Sequence, residues 1–180
     1  SGSAGRLRQQ VNGATKMPFA EAQEFFRGKA KVVETAEWRE MLREQHDRAF
    51  TVAGLACERS LKDVRELVQK ALDEGMTEAQ FRKSLGGLLE QNGAELRGNL
   101  KRRAKTIFDT NLRTSYAAGR LRQLEKAKSV LPYWVYRHGG SANPRPEHLA
   151  MDGKVLPADD PARKEIYPPN GWGCTCIVEA

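Results

Sequence analysis

NLKRRAKTIFDTNLRTSYAAGRLRQLEKAKSVLPYWVYRHGG, residues 99–140, holds the change of pattern that decides the fold. In its first part Leu100, Ala104, Ile107, Phe108, Asn111 and Ser115 recur at three- and four-residue steps, which places them on one face of a helix over about 98–127. After Ser129 the pattern changes. Tyr133, Trp134, Val135 and Tyr136 form an aromatic and β-branched run between Pro132 and the pair Gly139 and Gly140, which reads as a strand.

Upstream of this stretch the helical period continues. Pro18 can occupy a first helical turn, with Phe19, Ala22, Phe25 and Phe26 on one face. A second helix is expected from Thr35, with Glu37 in its first turn and Trp38, Met41 and Leu42 on one side, running on to Phe50 and Val52. Leu61, Val64, Leu67, Val68, Ala71 and Leu72 form an amphipathic helix that Gly75 ends. Thr77 and Gln80 make a capping box for the next helix, whose stripe of Phe81, Leu85, Leu88 and Leu89 stops at Asn92 and Gly93. Gly86 and Gly87 weaken its middle by about 1 kcal/mol each relative to Ala.

Downstream, a loop with Asn143, Pro144 and Pro146 leads to a helical turn at 147–151. Short strands are expected at 154–156 and 175–179, with irregular chain between them. The fold class is therefore α+β: a mainly helical body over 17–128, and a small β-containing cap over 129–180 packed with it as one domain. Residues 1–16 are expected to be a tag or disordered lead, and the opening SGSAG reads as a cloning remnant.

The chain has 180 residues with 39% apolar and 29% charged side chains, a size and mix suited to one globular core. With 16 Gly, 8 Pro and 3 Cys it is neither collagen-like nor a disulfide scaffold. Three cysteines cannot all pair within the chain, which favours a reducing compartment. No apolar run approaches the roughly 20 residues that a membrane span needs. The net charge is +7, and residues 97–128 carry 10 Lys/Arg against 2 Asp/Glu while the rest of the chain is nearly balanced. Arg102, Arg113 and Arg120 lie close to whole helical turns apart and should align, with Lys101, Arg103 and Lys105 beside them. Such a stripe is either a surface for DNA or an acidic protein, or a solvated helix face.

A second constellation lies in the cap, where Cys174 and Cys176 are one residue apart, His148 is upstream and His138 ends the strand. Thiolate and imidazole are ligands of tetrahedral zinc, and a cap with little apolar mass gains from such a staple. The same residues can equally form a buried hydrogen-bonded cluster without metal. One intervening residue in a strand puts both cysteines on the same side, which suits ligation and core packing alike. The spacing does not match the zinc deaminases, which need a Glu two residues after the His and a wider Cys pair. Cys174 as nucleophile with His148 as base, or Asp152, Asp159 and Asp160 on a nuclease metal, are weaker readings, since acidic residues beside Gly and Pro usually form turns. Cys57 reads as a small core residue, and Trp134, Tyr167 and Trp172 as cap core more than as base-stacking platforms.

Three cap segments, PYWVYRHGGSANPRPEH (132–148), GKVLPADDP (153–161) and YPPNGWGCTC (167–176), resemble the head morphogenesis domain of the phage Mu F-like family. PFAEAQEFFRGK (18–29), AFTVAG (49–54) and TNLRTSYAAGR (110–120) resemble its helical part, so the likeness covers nearly the whole chain. It implies a minor capsid protein, non-enzymatic, acting near the portal in prohead assembly in the bacterial cytoplasm. The implied partners are capsid or portal proteins, with packaged DNA met through the basic helix. A toxin or nuclease-type effector module reusing the domain is the alternative. In other branches of the family a Cys pair stands at the places of Arg145 and His148 and a His at that of Gly171, so His148 matches a ligand position here and the other two do not. Met151, and Ala162 with Arg163, stand where family members carry aromatics.

Overall fold

The computed structural model describes residues 19–34, 49–55, 57–171 and 173–180. The lead over 1–16, Pro18, the helix expected from Thr35 and Trp172 lie outside the described residues.

Helix α1, Ala20–Arg27, buries Ala22 and Phe26. Strands β1, Lys31–Val32, and β2, Ala49–Phe50, pair in parallel, Lys31 opposite Ala49 and Val32 opposite Phe50. This corrects the expectation that helix runs on to Phe50 and Val52. Ala49, Phe50, Thr51 and Val52 are all buried. A surface helix would turn some of four successive residues to solvent, whereas extended chain threaded through a core buries every one.

Helix α2, Glu58–Glu74, buries Leu61, Val64, Leu67, Val68, Ala71 and Leu72, and ends at Gly75 in the left-handed region with φ 66°. Helix α3, Glu78–Asn92, opens on the capping box: Thr77 Oγ1 accepts from Gln80 N–H, and the Gln80 side chain accepts from Thr77 N–H at 2.8 Å. Gly86 and Gly87 lie within it without breaking it. Helix α4, Leu100–Ala127, is 28 residues long, about 42 Å at 1.5 Å per residue, with the Asn99 side chain capping Arg102 N–H. Its buried face of Ala104, Ile107, Phe108, Leu112 and Ser115 packs on α2 and α3, while α1 crosses it further along. The crossing depends on Gly119, where a Cβ would stand 2.8 Å from Ala22 N and 2.9 Å from the Phe19 ring.

The cap is an antiparallel three-stranded sheet in the order β4-β3-β5, with β3 Tyr133–Arg137, β4 Val155–Pro157 and β5 Ile177–Glu179. Trp134 pairs with Leu156, and Tyr136 with Val178. Helix α5 is the turn Pro146–Leu149, and α6, Arg163–Ile166, forms where irregular chain was expected. Asp160 explains α6, because its Oδ1 accepts the Ala162 N–H at 2.9 Å and starts the turn.

Two buried clusters result. One joins α1, β2, α2, α3 and the first half of α4; the other contains Trp134, Tyr136, Ala158, Cys174, Cys176 and Val178 together with Leu124. The long helix thus belongs to both, supplying Leu124 and the adjoining Leu121 to the cap. Arg163 clamps the junction, pairing with Glu125 at 2.6 Å while its guanidinium lies 4.3 Å from the Trp134 ring centre. The Tyr167 hydroxyl donates to Ala117 O at 3.0 Å.

Candidate metal centre and basic surface

Antiparallel pairing fixes the inward side of the cap. Along the chain that leads into and through β5, Cys174, Cys176 and Val178 are buried while Thr175, Ile177 and Glu179 are less so, a period of two. The turn of α5 brings His148 over the two sulfurs, with His148 N–H donating to Arg145 O at 3.0 Å. His148 Nδ1 lies 3.7 Å from Cys174 Sγ and 3.6 Å from Cys176 Sγ. All three residues are buried, exposed by 9%, 5% and 7%. Among the described residues they are the one group of three or more His, Cys, Asp or Glu side chains close enough to share an ion.

These distances test the fit of a metal. A tetrahedral zinc with bonds of about 2.3 Å to sulfur and 2.0–2.1 Å to nitrogen sets S and N roughly 3.5–3.6 Å apart. The observed edges lie within about 0.2 Å of that, and they equally suit hydrogen bonds between the imidazole and the two thiols. The donor set, two thiols and one imidazole, is chemically suited to zinc. The three residues form a possible metal site.

His138 does not join them. Its Nδ1 accepts from Gly140 N–H at 3.2 Å, and the His138 backbone N–H donates to Asp152 Oδ1 at 2.9 Å. The three aspartates of the cap act separately: Asp152 in that bond, Asp159 in an ion pair with Lys128, Asp160 at the start of α6. Cys57, expected in a core, sits half-exposed at the N-cap of α2, where Ser60 lowers its thiol pKa.

Reading the sequence for ligands missed the groups around them. Tyr136, buried on the inward face of β3, packs in one cluster with Cys174 and Cys176. Burial, the largest cause, and the neighbouring thiols push its phenol well above the ordinary range. The Cys176 thiol is raised too, burial outweighing the stabilising bonds from Tyr136 and from the Gly139 backbone. Gly139 is needed because a Cβ there would stand 1.9 Å from Thr175 O. The signal for Tyr136 was available, since the period of two puts it beside Trp134. Arg145 lies against Gly171, its Nη1 donating to Asn170 O at 3.2 Å, so the two positions without ligand side chains face each other.

The basic helix is less uniform than its sequence. Arg103 turns inward and its guanidinium donates to Ala53 O. Lys105 and Arg113 both pair with Asp109, at 2.7 Å and 3.5 Å. Lys101, Arg102 and Arg120 are exposed and form no ion pair among the described residues. The expected stripe of six is thereby reduced to Lys101 and Arg102 at the start of α4 and Arg120 near the cap.

The family described as Phage Mu protein F like protein matches residues 62–179. A protein of Escherichia phage Mu named "Putative capsid assembly protein F" is 36% identical over 93% of this chain and 41% of its own length. The Mu-like prophage FluMu F protein of Haemophilus influenzae is 37% identical over 81% of this chain and 38% of its own. The chain thus spans about two fifths of the length of these curated relatives. No solved structure matches. No helix among the described residues is long and apolar enough to cross a membrane. With the match running from α2 through the last strand, the chain belongs to the phage Mu F-like protein family.

Proposed function

We propose that this chain is a head-assembly module that joins the prohead near the portal, in the bacterial cytoplasm, with a zinc-stapled cap and a basic surface for packaged DNA. The observation that carries the reading is the 36–37% identity to the two Mu F proteins over most of the chain. Two features support the finer parts. The His148, Cys174 and Cys176 edges suit zinc, and a cap with few buried apolar residues gains stability from an ion that binds only the folded form. Lys101, Arg102 and Arg120 leave their charges to solvent, as phosphate contacts require.

The assembly role is tested by mixing the purified chain with the major head and portal proteins of its phage and sedimenting the proheads. Co-sedimentation in few copies with portal-containing proheads, and its loss when the portal is omitted, is expected; absence from both kinds of prohead overturns the reading. For DNA, the triple change Lys101→Glu, Arg102→Glu and Arg120→Glu should abolish duplex binding with the melting temperature unchanged. The wild type's plot of log affinity against log salt should have a slope of about −0.9 per phosphate neutralised. Equal affinity of the triple variant removes the DNA contact. Elemental analysis finding about one zinc per chain is expected for the staple, and none after exposure to zinc refutes it.

A further inference from the structure

The cap sheet carries apolar side chains on both of its faces. Trp134 and Tyr136 belong to the buried cluster, and the residues paired with them, Leu156 and Val178, lie on the same side of the sheet. The alternation of a strand therefore turns Tyr133, Val135 and Arg137 of β3, Val155 and Pro157 of β4, and Ile177 and Glu179 of β5 to the other face. An antiparallel sheet with one face in water alternates apolar-in and polar-out, whereas strands covered on both faces read as near-continuous apolar runs. Here the two charged outward residues neutralise each other, Arg137 pairing with Glu179 at 3.3 Å, and the other outward positions are apolar. Tyr133 is 61% exposed and Val155 56%. Tyr133 lies opposite Pro157 and Val135 opposite Val155, so the apolar surface is continuous. Val130 and Leu131, just before β3, are exposed as well. Six large apolar side chains are exposed among the described residues, and four of them are gathered here.

We propose that this outer face packs on the same face of a second copy of the chain, forming a two-fold, sheet-on-sheet dimer. Its size fits that use. The exposed apolar side chains make a patch on the order of the 300–600 Å² that marks a functional surface on a monomer. A standard interface buries roughly 800 Å² per partner, a little over half of it apolar, so the patch supplies the apolar share of one side. Charge selects the occupant. The chain carries +7 overall, which opposes the approach of two copies through most of their surface. On the outer face the charges are paired, Arg137 with Glu179 and, two residues after Pro157, Asp159 with Lys128 at 3.0 Å. Under a two-fold axis each of these cations can also meet a carboxylate of the other copy, so the face is complementary to itself. Packing through the face follows from the state of the β4 edge: Pro157 has no N–H, and its carbonyl accepts from Asp160 N–H at 3.0 Å, which closes that edge to an added strand.

Sedimentation velocity of the chain at micromolar concentrations should show a species of twice the 20.1 kDa chain mass, in exchange with monomer. Because the contact is apolar, the dimer should persist in molar salt, which screens exposed charges. Tyr133→Glu combined with Val155→Glu brings new carboxylates from both copies together and should weaken association by roughly 100-fold or more. Both side chains face solvent in the single chain, so the far-ultraviolet helical signal should be unchanged. Should the acidic variant fail to fold, Tyr133→Ser combined with Val155→Thr removes apolar area without adding charge and should weaken the dimer by roughly 10-fold. A wild type that stays monomeric up to millimolar concentration overturns the proposal, whatever other partner covers the face. A dimer that survives these substitutions overturns it by placing the contact elsewhere, and one that dissolves in salt does so by assigning the contact to charged groups.

Discussion

In the helical body Phe26, Phe50, Phe81, Leu61, Leu72 and Leu85 are each almost wholly removed from water, within a cluster of seventeen buried residues. Among the described residues the cap's buried cluster has seven members, of which two are cysteines and one, Leu124, is lent by the body. Fully burying one Leu- or Phe-sized side chain contributes about 1.5–3 kcal/mol, so the body can be held by apolar area alone. The cap cannot draw on comparable area, and its specific order comes from Arg163 over Trp134, from Tyr167 on Ala117, and from the His148, Tyr136 and cysteine cluster. A body of this kind tolerates surface change and fails when hollowed. The cap should fail when one polar contact or one close backbone approach is lost.

The largest effect expected from breaking this comparison is on the body side. Phe81 is fully buried with its ring 5.4 Å from that of Phe108, and Phe81→Ala should cost about 3–5 kcal/mol, read as a lowered midpoint in urea unfolding. A cost below about 1 kcal/mol would mean that the body is not built around this contact. On the cap side Gly139→Ala sets a Cβ against the backbone oxygen of Thr175, a group that no rotamer change can move. It should destabilise the cap by about 1–3 kcal/mol and abolish metal uptake, with the far-ultraviolet helical signal retained. Retained uptake would show that the approach of residue 139 does not set the sulfur positions.

A pH titration sharpens the contrast further. The thiol of Cys176 and the phenols of Tyr136 and Tyr167 are all raised by burial from ordinary values of 9.0 and 10.0. A raised value means that the folded form holds its protons more tightly. That stability is fully present below the ordinary value and is lost as pH rises towards the folded one. Metal-free protein should therefore show a falling melting temperature above about pH 9, seen first in the near-ultraviolet signal of Trp134. Zinc should remove the part due to Cys176, since a ligating sulfur has already given up its proton. Tyr116, raised in the same way within the body, should add a weaker loss there. Melting independent of pH up to 11 would contradict the burial of these groups.

How much could be read without coordinates depended on whether the deciding signal was local. Gly75 ending one helix and Thr77 with Gln80 opening the next act within a few residues, and both stand as expected. Trp134 and Tyr136 announce an inward strand face by their spacing. The parallel pairing of β1 with β2 has no such signature, because its hydrogen bonds join segments separated by a further stretch of chain. Arg103 was assigned to the surface because its acceptor, Ala53 O, lies fifty residues away. Lys105 and Arg113 are a different case. Asp109 stands four residues from each, so their neutralisation is legible from the i,i+4 spacing alone. The metal site shows both kinds: Cys174 and Cys176 are neighbours in sequence, whereas the choice of His148 over His138 was made by where α5 places its ring.

The smallest effect tests whether local and global terms separate as this picture requires. Thr77 caps α3 through Oγ1, and Gln80 returns the bond to the Thr77 N–H, all at the exposed surface and far in sequence from the cap. Thr77→Ala removes one acceptor for an end N–H and should cost about 1 kcal/mol. Thr77→Gly should cost only a few tenths of a kcal/mol, because a solvated Gly N-cap lets water reach the freed N–H. Neither change touches the second cluster, so zinc affinity should be that of wild type while the body's urea midpoint falls. If a cap substitution at the start of α3 altered zinc affinity, the two clusters would be coupled through α4, which packs against α3 at one end and supplies Leu121 and Leu124 at the other. Body and cap would then melt as one unit, and the stability of each would include the other's.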